Sequence, residues 1–334
     1  MHKNTFIYEN ELKQLQKEFE SLHEPNGPTE STEPTEFIQS TESIQSTTPT
    51  LNVSKDNTTA IHIMIDRLTK YAEKNKPTLA ILTPCYGGLS HTNYTMSLIN
   101  TIQIFESCNF PTIPFFLNND SLVSRARNNL VGCAMLNESI THFIFIDSDI
   151  AWNPIDIIKL VLSDEMIIGG LYPKKNYKFN KITSDPSIIT RWIDKKNQLS
   201  PNTSDEMIIR NNLLDYNLNY ISTNLEIKNN IIEVKHLATG FMMFKRKVIE
   251  MMEEKFSETK YIDDTGFISK ENSIHTFALF DCGVINQSYY SEDWMFCHRW
   301  SSIGGKIYAD ISIDLVHIGV ENYSGSFIKN LLTK

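Results

Sequence analysis

Short apolar runs alternate with amphipathic segments from residue 77 to residue 175. Apolar runs bounded by turn residues are typical of buried strands, and apolar residues at three- and four-residue spacing are typical of helices that pack on them. The predicted strands cover residues 79–82, 112–117, 142–146 and 166–170, and the predicted helices cover residues 92–107, 122–136 and 155–162. Strands that alternate with helices favour an α/β fold with a mixed, mostly parallel central sheet flanked by helices.

The second half of the chain is less regular. Residues 174–235 are rich in Asn, Lys and Ile and follow no single period, so they are interpreted as an insertion. The pattern returns after it, with strands at residues 238–244 and 306–310, a helix at 246–255, a helix that opens at Ser291 and a final segment at 315–317.

The N-terminal region has a different composition from the rest. An amphipathic helix is predicted at residues 8–22, with its apolar side formed by Leu12, Leu15, Phe19 and Leu22. Residues 24–59 are rich in Ser, Thr, Pro and Glu and predict a disordered linker, and helical periodicity returns at 61–74. We therefore expect a partly disordered N-terminal extension over residues 1–76, in which residues 8–22 could mediate self-association.

Composition narrows the class of protein. The 334 residues are 41% hydrophobic and 21% charged, enough to bury a full core. A net charge of -9 argues against nucleic acid or an anionic membrane as the partner. The five cysteines form no CxxC pair, and neither a signal peptide nor an apolar stretch of about 18 residues is present, so a reducing, cytoplasmic location without a transmembrane segment is expected.

Two acidic residues follow the apolar strand at 142–146. Asp147 and Asp149 flank the small Ser148, and carboxylates at this spacing can reach a hard cation together with diphosphate oxygens. Such a site suits Mg²⁺ or Mn²⁺. The alternative is that the acids cap the next helix or stay solvated, because acidic pairs are common in turns after strands.

Five segments together carry a family resemblance. They are residues 124–129 (SRARNN), 142–149 (HFIFIDSD), 238–241 (ATGF), 291–293 (SED) and 316–317 (VH). In order and spacing they resemble the GT-A glycosyltransferases, especially virus-encoded and Anp1/mannan-polymerase-like ones, over about residues 78–325. The resemblance implies a Rossmann-like GT-A domain over residues 77–334, with a nucleotide-binding half (77–175), the insertion (176–235) and an acceptor half (236–334).

The resemblance also implies a metal site. Asp147 and Asp149 correspond to the DxD aspartates, of which the second usually coordinates the metal and the first touches the ribose or the metal. His317 corresponds to a distant third protein ligand of Mn²⁺ or Mg²⁺. Without the resemblance, a lone His near the end of a strand is more often a hydrogen-bonded structural residue.

Donor-binding residues are expected on two elements. Thr83, Pro84 and Tyr86 follow the first strand, where similar enzymes hold the nucleobase and ribose; the alternative is an ordinary glycine-assisted turn. Arg125 and Asn129 share one helix face, and the matching arginine in similar enzymes reaches the nucleotide. Arg125 is preferred over Arg127 for this role, and the alternative is a surface helix with ordinary salt bridges.

Catalysis is expected from the acid pair at residues 292–293. Glu292 and Asp293 look like the ED motif of inverting enzymes, in which the aspartate takes the proton of the acceptor hydroxyl. They could instead, or in addition, cap a helix N-terminus. Gly240 could let backbone approach the sugar or acceptor closely, or could mark a bulge.

The expected function is a metal-dependent glycosyltransferase. Its donor is a nucleoside-diphosphate sugar, with UDP favoured over GDP, and its acceptor is a hydroxyl of a glycan, protein or small molecule; inversion is favoured but retention is left open. A virus-encoded enzyme that acts in the host cytoplasm would fit. The alternatives are a nucleotide-sugar-forming nucleotidyltransferase, disfavoured because no Gly-rich basic loop follows Leu82, and a non-catalytic sugar-binding or scaffold protein on a degenerate fold.

Overall fold

The structure is a computed structural model that describes residues 55–185, 187–196, 210, 212–222 and 226–321. The helix expected at residues 8–22 and the linker up to residue 54 lie outside this part of the chain. The remaining five linker residues, 55–59, are helical.

Helices and strands alternate through the described residues. The helices are α1 (Lys55–Asn75), α2 (Thr92–Ser107), α3 (Val123–Met135), α4 (Pro154–Ser163), α5 (Asn180–Ser184), α6 (Ser187–Lys196), α7 (Arg246–Lys255) and α8 (Glu292–Ser302). The strands are β1 (Leu79–Cys85), β2 (Thr112–Asn118), β3 (His142–Ile146), β4 (Ile150–Ala151), β5 (Ile167–Gly170), β6 (Leu218–Tyr220), β7 (Ile231–Leu237), β8 (Phe241–Lys245), β9 (Gly283–Ile285), β10 (Ser288–Tyr290), β11 (Tyr308–Asp310) and β12 (Val316–His317).

Eight of these strands form the central sheet, in the order β2-β1-β3-β8-β5-β11-β7-β6. β1 runs parallel to β2 and β3, and β5 runs parallel to β11. β8 is antiparallel to β3 and β5, and β7 is antiparallel to β11 and β6. Only β7 and β8 are therefore reversed within this sheet, and the expected mixed, mostly parallel α/β fold is confirmed.

The sheet is covered on both faces, and β3 shows how its sequence produces this. Successive side chains of a strand point to opposite faces. Phe143 and Phe145 belong to one core cluster, which includes residues of α3, α7 and α8. Ile144 and Ile146 belong to the other, which includes residues of α1, α2 and α4. A strand buried on both faces reads as an unbroken apolar run, which is why the sequence predicts it clearly.

β8 places the second half of the chain in the middle of the sheet. Its apolar residues pair with those of β3, and the rings of Phe244 and Phe143 stack at 5.5 Å. Because β8 is antiparallel to β3, its start adjoins the end of β3. The backbone N–H of Asp147 accordingly donates to the carbonyl of Gly240 at 3.1 Å.

The region interpreted as an insertion contributes two strands of the sheet, β6 and the start of β7, that the sequence analysis did not assign. Ile232 and Val234 of β7 are buried, while Glu233 and Lys235 are more exposed, a period-two pattern that had been visible in the sequence. Further upstream, the backbone of residues 174–178 is braced by residues 213–215, through Lys174 N to Asp215 O at 2.8 Å and Lys178 N to Leu213 O at 2.9 Å. In the part of the chain described, no helix is long and apolar enough to cross a membrane.

His142 joins α1 to the beginning of β3. It is buried, and its ring nitrogens lie 3.2 Å from the hydroxyl of Tyr71 on α1 and 2.7 Å from the hydroxyl of Thr141. Burial, with a smaller contribution from Lys245, lowers the pKa of His142 to about 4, although Asp164 acts in the opposite direction. The folded protein therefore holds this imidazole neutral.

We expect stability to fall as the pH drops from about 6.5 towards 4. In this window the unfolded chain protonates His142 but the folded protein resists protonation, so unfolding takes up a proton and becomes easier by about 2–3 kcal/mol at pH 4.5. His142→Gln keeps hydrogen-bonding capacity without titrating and should flatten this dependence. Urea unfolding at pH 7.5 and 4.5 measures it, with the exposed His62→Gln as control; parallel pH profiles for both variants would contradict the assignment.

Candidate functional site

Several of the residues singled out by sequence lie at the carboxyl ends of the parallel strands, where ligands bind in sheets of this kind. Asp147 and Asp149 follow β3, the loop that contains Tyr86 follows β1, and Tyr172 follows β5. The backbone N–H of His91 in the β1 loop donates to the carbonyl of Ser148 at 3.1 Å. This bond holds the β1 loop against the acidic turn.

Asp147 sits in a tightly packed corner. A side-chain Cβ added at Gly240 would lie 2.5 Å from the hydroxyl of Tyr172 and 2.9 Å from Oδ2 of Asp147. The backbone N–H of Gly240 also donates to the Tyr172 hydroxyl at 3.2 Å. Gly240 therefore permits a close approach by protein atoms, and any larger residue would displace the tyrosine or the carboxylate.

Arg127 on α3 connects the two acid pairs. Its Nη2 donates to Oδ1 of Asp147 at 2.9 Å, and its Nε donates to Oε1 of Glu292 at 3.3 Å. Arg127 is only 3% exposed, and its guanidinium lies over the ring of Phe145, 5.0 Å from the ring centroid. Burial acts to lower its pKa, but the two carboxylates outweigh burial and the pKa is raised. One buried cation thus joins the end of β3 to the start of α8.

Asp149 faces two basic groups. Its Oδ2 accepts from Nζ of Lys175 at 2.5 Å, and its Oδ1 lies 3.7 Å from Nε2 of His317. His317 is placed by the pairing of β12 with β4 and by a 2.8 Å contact between its Nδ1 and the carbonyl of Pro173. Burial acts to raise the pKa of Asp149, but its basic neighbours His317 and Lys175 prevail and lower it to about 2.

The contacts of His317 suit a metal ligand. A carbonyl can only accept, so Nδ1 carries a proton. Nε2 then faces Asp149 as N–H when the ring is protonated and offers its lone pair to a cation when the ring is neutral. A histidine whose other nitrogen donates to a carbonyl is the usual arrangement around bound metals. Among the residues that the structure describes, however, no group of three or more His, Cys, Asp or Glu is placed to hold a metal ion.

Asp149 and His317 lie 3.7 Å apart and could hold a cation between them. Oδ1 of Asp147 is bonded to Arg127, and its role as a further metal ligand stays a prediction. Mg²⁺ and Mn²⁺ bind well to oxygen, and Mg²⁺ usually keeps water and phosphate oxygens among its ligands. The site therefore fits such a cation when water or a bound diphosphate completes its coordination.

Asp293 lies at the N-terminus of α8 and is 8% exposed. Its Oδ1 accepts from the hydroxyl of Ser291 and, at 2.8 Å, from the backbone N–H of Trp294. Burial raises the pKa of Asp293 and the charge of Glu292 adds to this, although the hydrogen bond from Ser291 opposes it. The carboxylate is fixed in position and is a stronger base than an exposed aspartate.

The predicted nucleobase residues after β1 differ in exposure. Thr83 is fully buried, and its hydroxyl lies 2.5 Å from that of Tyr94. Pro84 belongs to β1 and is partly exposed, while Tyr86 is 73% exposed. Tyr86 is thus the one of these three whose side chain lies mainly at the surface.

The predicted polar face of α3 has other partners. Arg125 makes a two-pronged salt bridge with Asp120, at 3.0 and 2.9 Å. Asn129 is fully buried and donates to Asp263 at 3.0 Å. The arginine that contacts Asp147 is Arg127, which sequence reasoning had placed second. Its spacing of three and four residues from the buried Leu130 and Val131 is a signal that it lies on the inward face of α3.

Comparison with known proteins adds little to this geometry. No protein-family model matches the sequence, and no curated protein matches it. Among solved structures, the crystal structure of A197 from STIV is similar over 73% of this chain and 86% of that chain, with 16% sequence identity and a TM-score of 0.39. A similarity this low assigns neither a family nor an activity.

We expect Arg127→Gln to lower the free energy of unfolding by about 2–4 kcal/mol, because it leaves Asp147 and Glu292 without their shared cation. Arg125→Gln, on the same helix, should cost less, because the Arg125 side chain is 37% exposed and its pair with Asp120 is open to solvent on that side. Urea unfolding at pH 7.5 compares the two variants. Equal, small losses would show that the buried bridge does not hold the two acid pairs together.

Proposed function

We propose that this protein is a metal-dependent glycosyltransferase that moves a sugar from a nucleoside-diphosphate sugar to an acceptor hydroxyl with inversion. The observation that carries the proposal is the Arg127 bridge, which brings the acid pair after β3 and the acid pair at α8 into one site. Sugar transfer needs a group that offsets the negative charge of the departing diphosphate, and it needs a base at the attacking hydroxyl. The bridge supports the proposal because it brings candidates for both roles to one edge of the sheet.

The donor end would be formed by the loops after β1, β3 and β5. A divalent cation held by Asp149 and His317 would offset the negative charge that develops on the departing diphosphate. The exposed ring of Tyr86 is available to stack on a nucleobase, and the bond from His91 to Ser148 keeps its loop beside the acidic turn. These features support a nucleoside diphosphate as the leaving group, with UDP favoured and GDP the other candidate.

The acceptor end would be formed by the start of α8. Asp293 takes the proton of the acceptor hydroxyl while that oxygen bonds to the anomeric carbon and the bond from this carbon to the phosphate oxygen breaks. Its raised pKa favours this proton transfer, because a more basic carboxylate binds the proton more strongly. Ser291 and the Trp294 amide hold the carboxylate still, and Glu292 is held by Arg127.

Asp149→Asn tests the cation site. We expect turnover to fall by about a hundredfold or more, because the substitution removes the carboxylate charge with little change in shape. The thermal stabilisation by UDP or GDP that depends on Mn²⁺ should be lost as well. Asp164→Asn, at a helix end preceding β5, is the matched control and should retain both. The measurements are nucleoside-diphosphate release from a panel of UDP- and GDP-sugars and melting curves with and without Mn²⁺. Metal-dependent binding that survives in Asp149→Asn would contradict this site.

Asp293→Asn separates chemistry from donor binding. We expect turnover to fall by about a hundredfold or more, because the amide cannot take the proton. The Mn²⁺-dependent stabilisation by nucleoside diphosphate should persist, in contrast to Asp149→Asn. Release of pyrophosphate from a nucleoside triphosphate and a sugar phosphate by the wild type would instead identify a nucleotidyltransferase, and binding without any turnover would indicate a non-catalytic sugar-binding protein.

A further inference from the structure

Lys175 makes an ion pair at the candidate site that the proposed function does not explain. Its Nζ lies 2.5 Å from Oδ2 of Asp149, the carboxylate assigned to the cation. The side chain of Lys175 is 39% exposed, so it approaches Asp149 from the solvent side. The described structure thus already places a positive charge on this carboxylate.

The position of Lys175 is built by three separate segments. Its aliphatic chain passes over Gly319, where an added Cβ would lie 2.8 Å from its Cδ. Two residues earlier, the carbonyl of Pro173 contacts His317. The neighbouring backbone is braced by the hydrogen bond from Lys174 to Asp215. The segment 173–175 therefore both contacts His317 and places Lys175 beside Asp149.

The ammonium of Lys175 and a divalent cation cannot share Asp149 without cost. Two positive charges a few ångströms apart repel strongly at the partly buried carboxylate, where water screens less than in bulk. A cation that binds Asp149 must therefore displace Lys175. The side chain can move, because it is long, partly exposed and held by a single charged partner in the described structure.

We propose that Lys175 is a built-in competitor of the divalent cation: it neutralises Asp149 in the metal-free protein and moves to the diphosphate of the donor when the cation takes the carboxylate. This inference rests on the proposed function. An ammonium is a good partner for phosphate oxygens. The cation alone then binds weakly, whereas cation and diphosphate bind tightly together, because the displaced ammonium gains a new anionic partner and the two ligands assist each other equally.

The test is Mn²⁺ binding by the full-length protein, followed by the electron paramagnetic resonance signal of free Mn²⁺. We expect Lys175→Met to bind MnCl₂ alone about tenfold more tightly than the wild type. In saturating MnCl₂, the same variant should bind UDP or GDP about fivefold or more weakly, measured by calorimetry. Lys174→Met, the adjacent exposed lysine, is the matched control and should change neither affinity, and Lys175→Arg should keep metal binding weak.

Opposite shifts of the two affinities in Lys175→Met alone support the competition. Mn²⁺ binding that is unchanged or weakened in this variant overturns it, as do equal shifts in Lys174→Met, which would reflect overall charge. A wild type that binds no Mn²⁺ even with UDP or GDP overturns both this inference and the metal-dependent part of the proposed function. Wild-type binding with no response to Lys175→Met overturns the inference only.

Discussion

The burial of one guanidinium constrains the rest of the candidate site. Arg127 lies on the ring of Phe145 with almost no exposure, and a charge in such a position is tolerable only if carboxylates pair with it. Those carboxylates are Asp147 and Glu292, which come from parts of the chain far apart in sequence. The site is therefore complete only when both parts of the chain have folded. The salt bridges of Arg127 stabilise the contact between these parts and also fix the positions of Asp147 and Glu292.

The antiparallel strand β8 brings the second half of the chain to the end of β3. Because β8 lies between β3 and β5, Gly240, the residue just before β8, adjoins the end of β3. The missing side chain of Gly240 leaves room for Tyr172 beside Asp147. The turn after β5 then carries Pro173 and Lys175 to His317 and Asp149. The segments after β3 and β5 thus bring Asp149, Lys175 and His317 together.

Local pattern was enough to predict most strands and helices, and it failed where the answer depended on distant partners. The run 143–146 in β3 is apolar at every position because both faces of the strand are buried. The strand, and the position of Asp147 and Asp149 just after its end, could therefore be predicted. The choice between Arg125 and Arg127 required knowing which face of α3 turns inward. Asp120, a few residues before Arg125 in the chain, is a local salt-bridge partner for Arg125. Likewise, nothing near Lys175 in sequence indicates Asp149 as its partner, because the contact arises from the turn after β5.

The two aspartates of the acidic turn, although only one residue apart, face different chemistry. Asp147 is pinned by the buried Arg127 and by the packing around Gly240, so its charge is already neutralised inside the protein. Asp149 faces the partly exposed Lys175 and the lone pair of His317, both of which can exchange partners with solvent ligands. In an extended segment, residues two apart share a side, so strand alternation does not explain why the two aspartates differ. They face different partners because they lie in the turn between β3 and β4. The two side chains are almost equally exposed, at 30% for Asp147 and 28% for Asp149. What differs is the partner, because Asp147 is bonded to the buried Arg127, which also holds Glu292, whereas Asp149 is bonded to a lysine that is itself partly exposed.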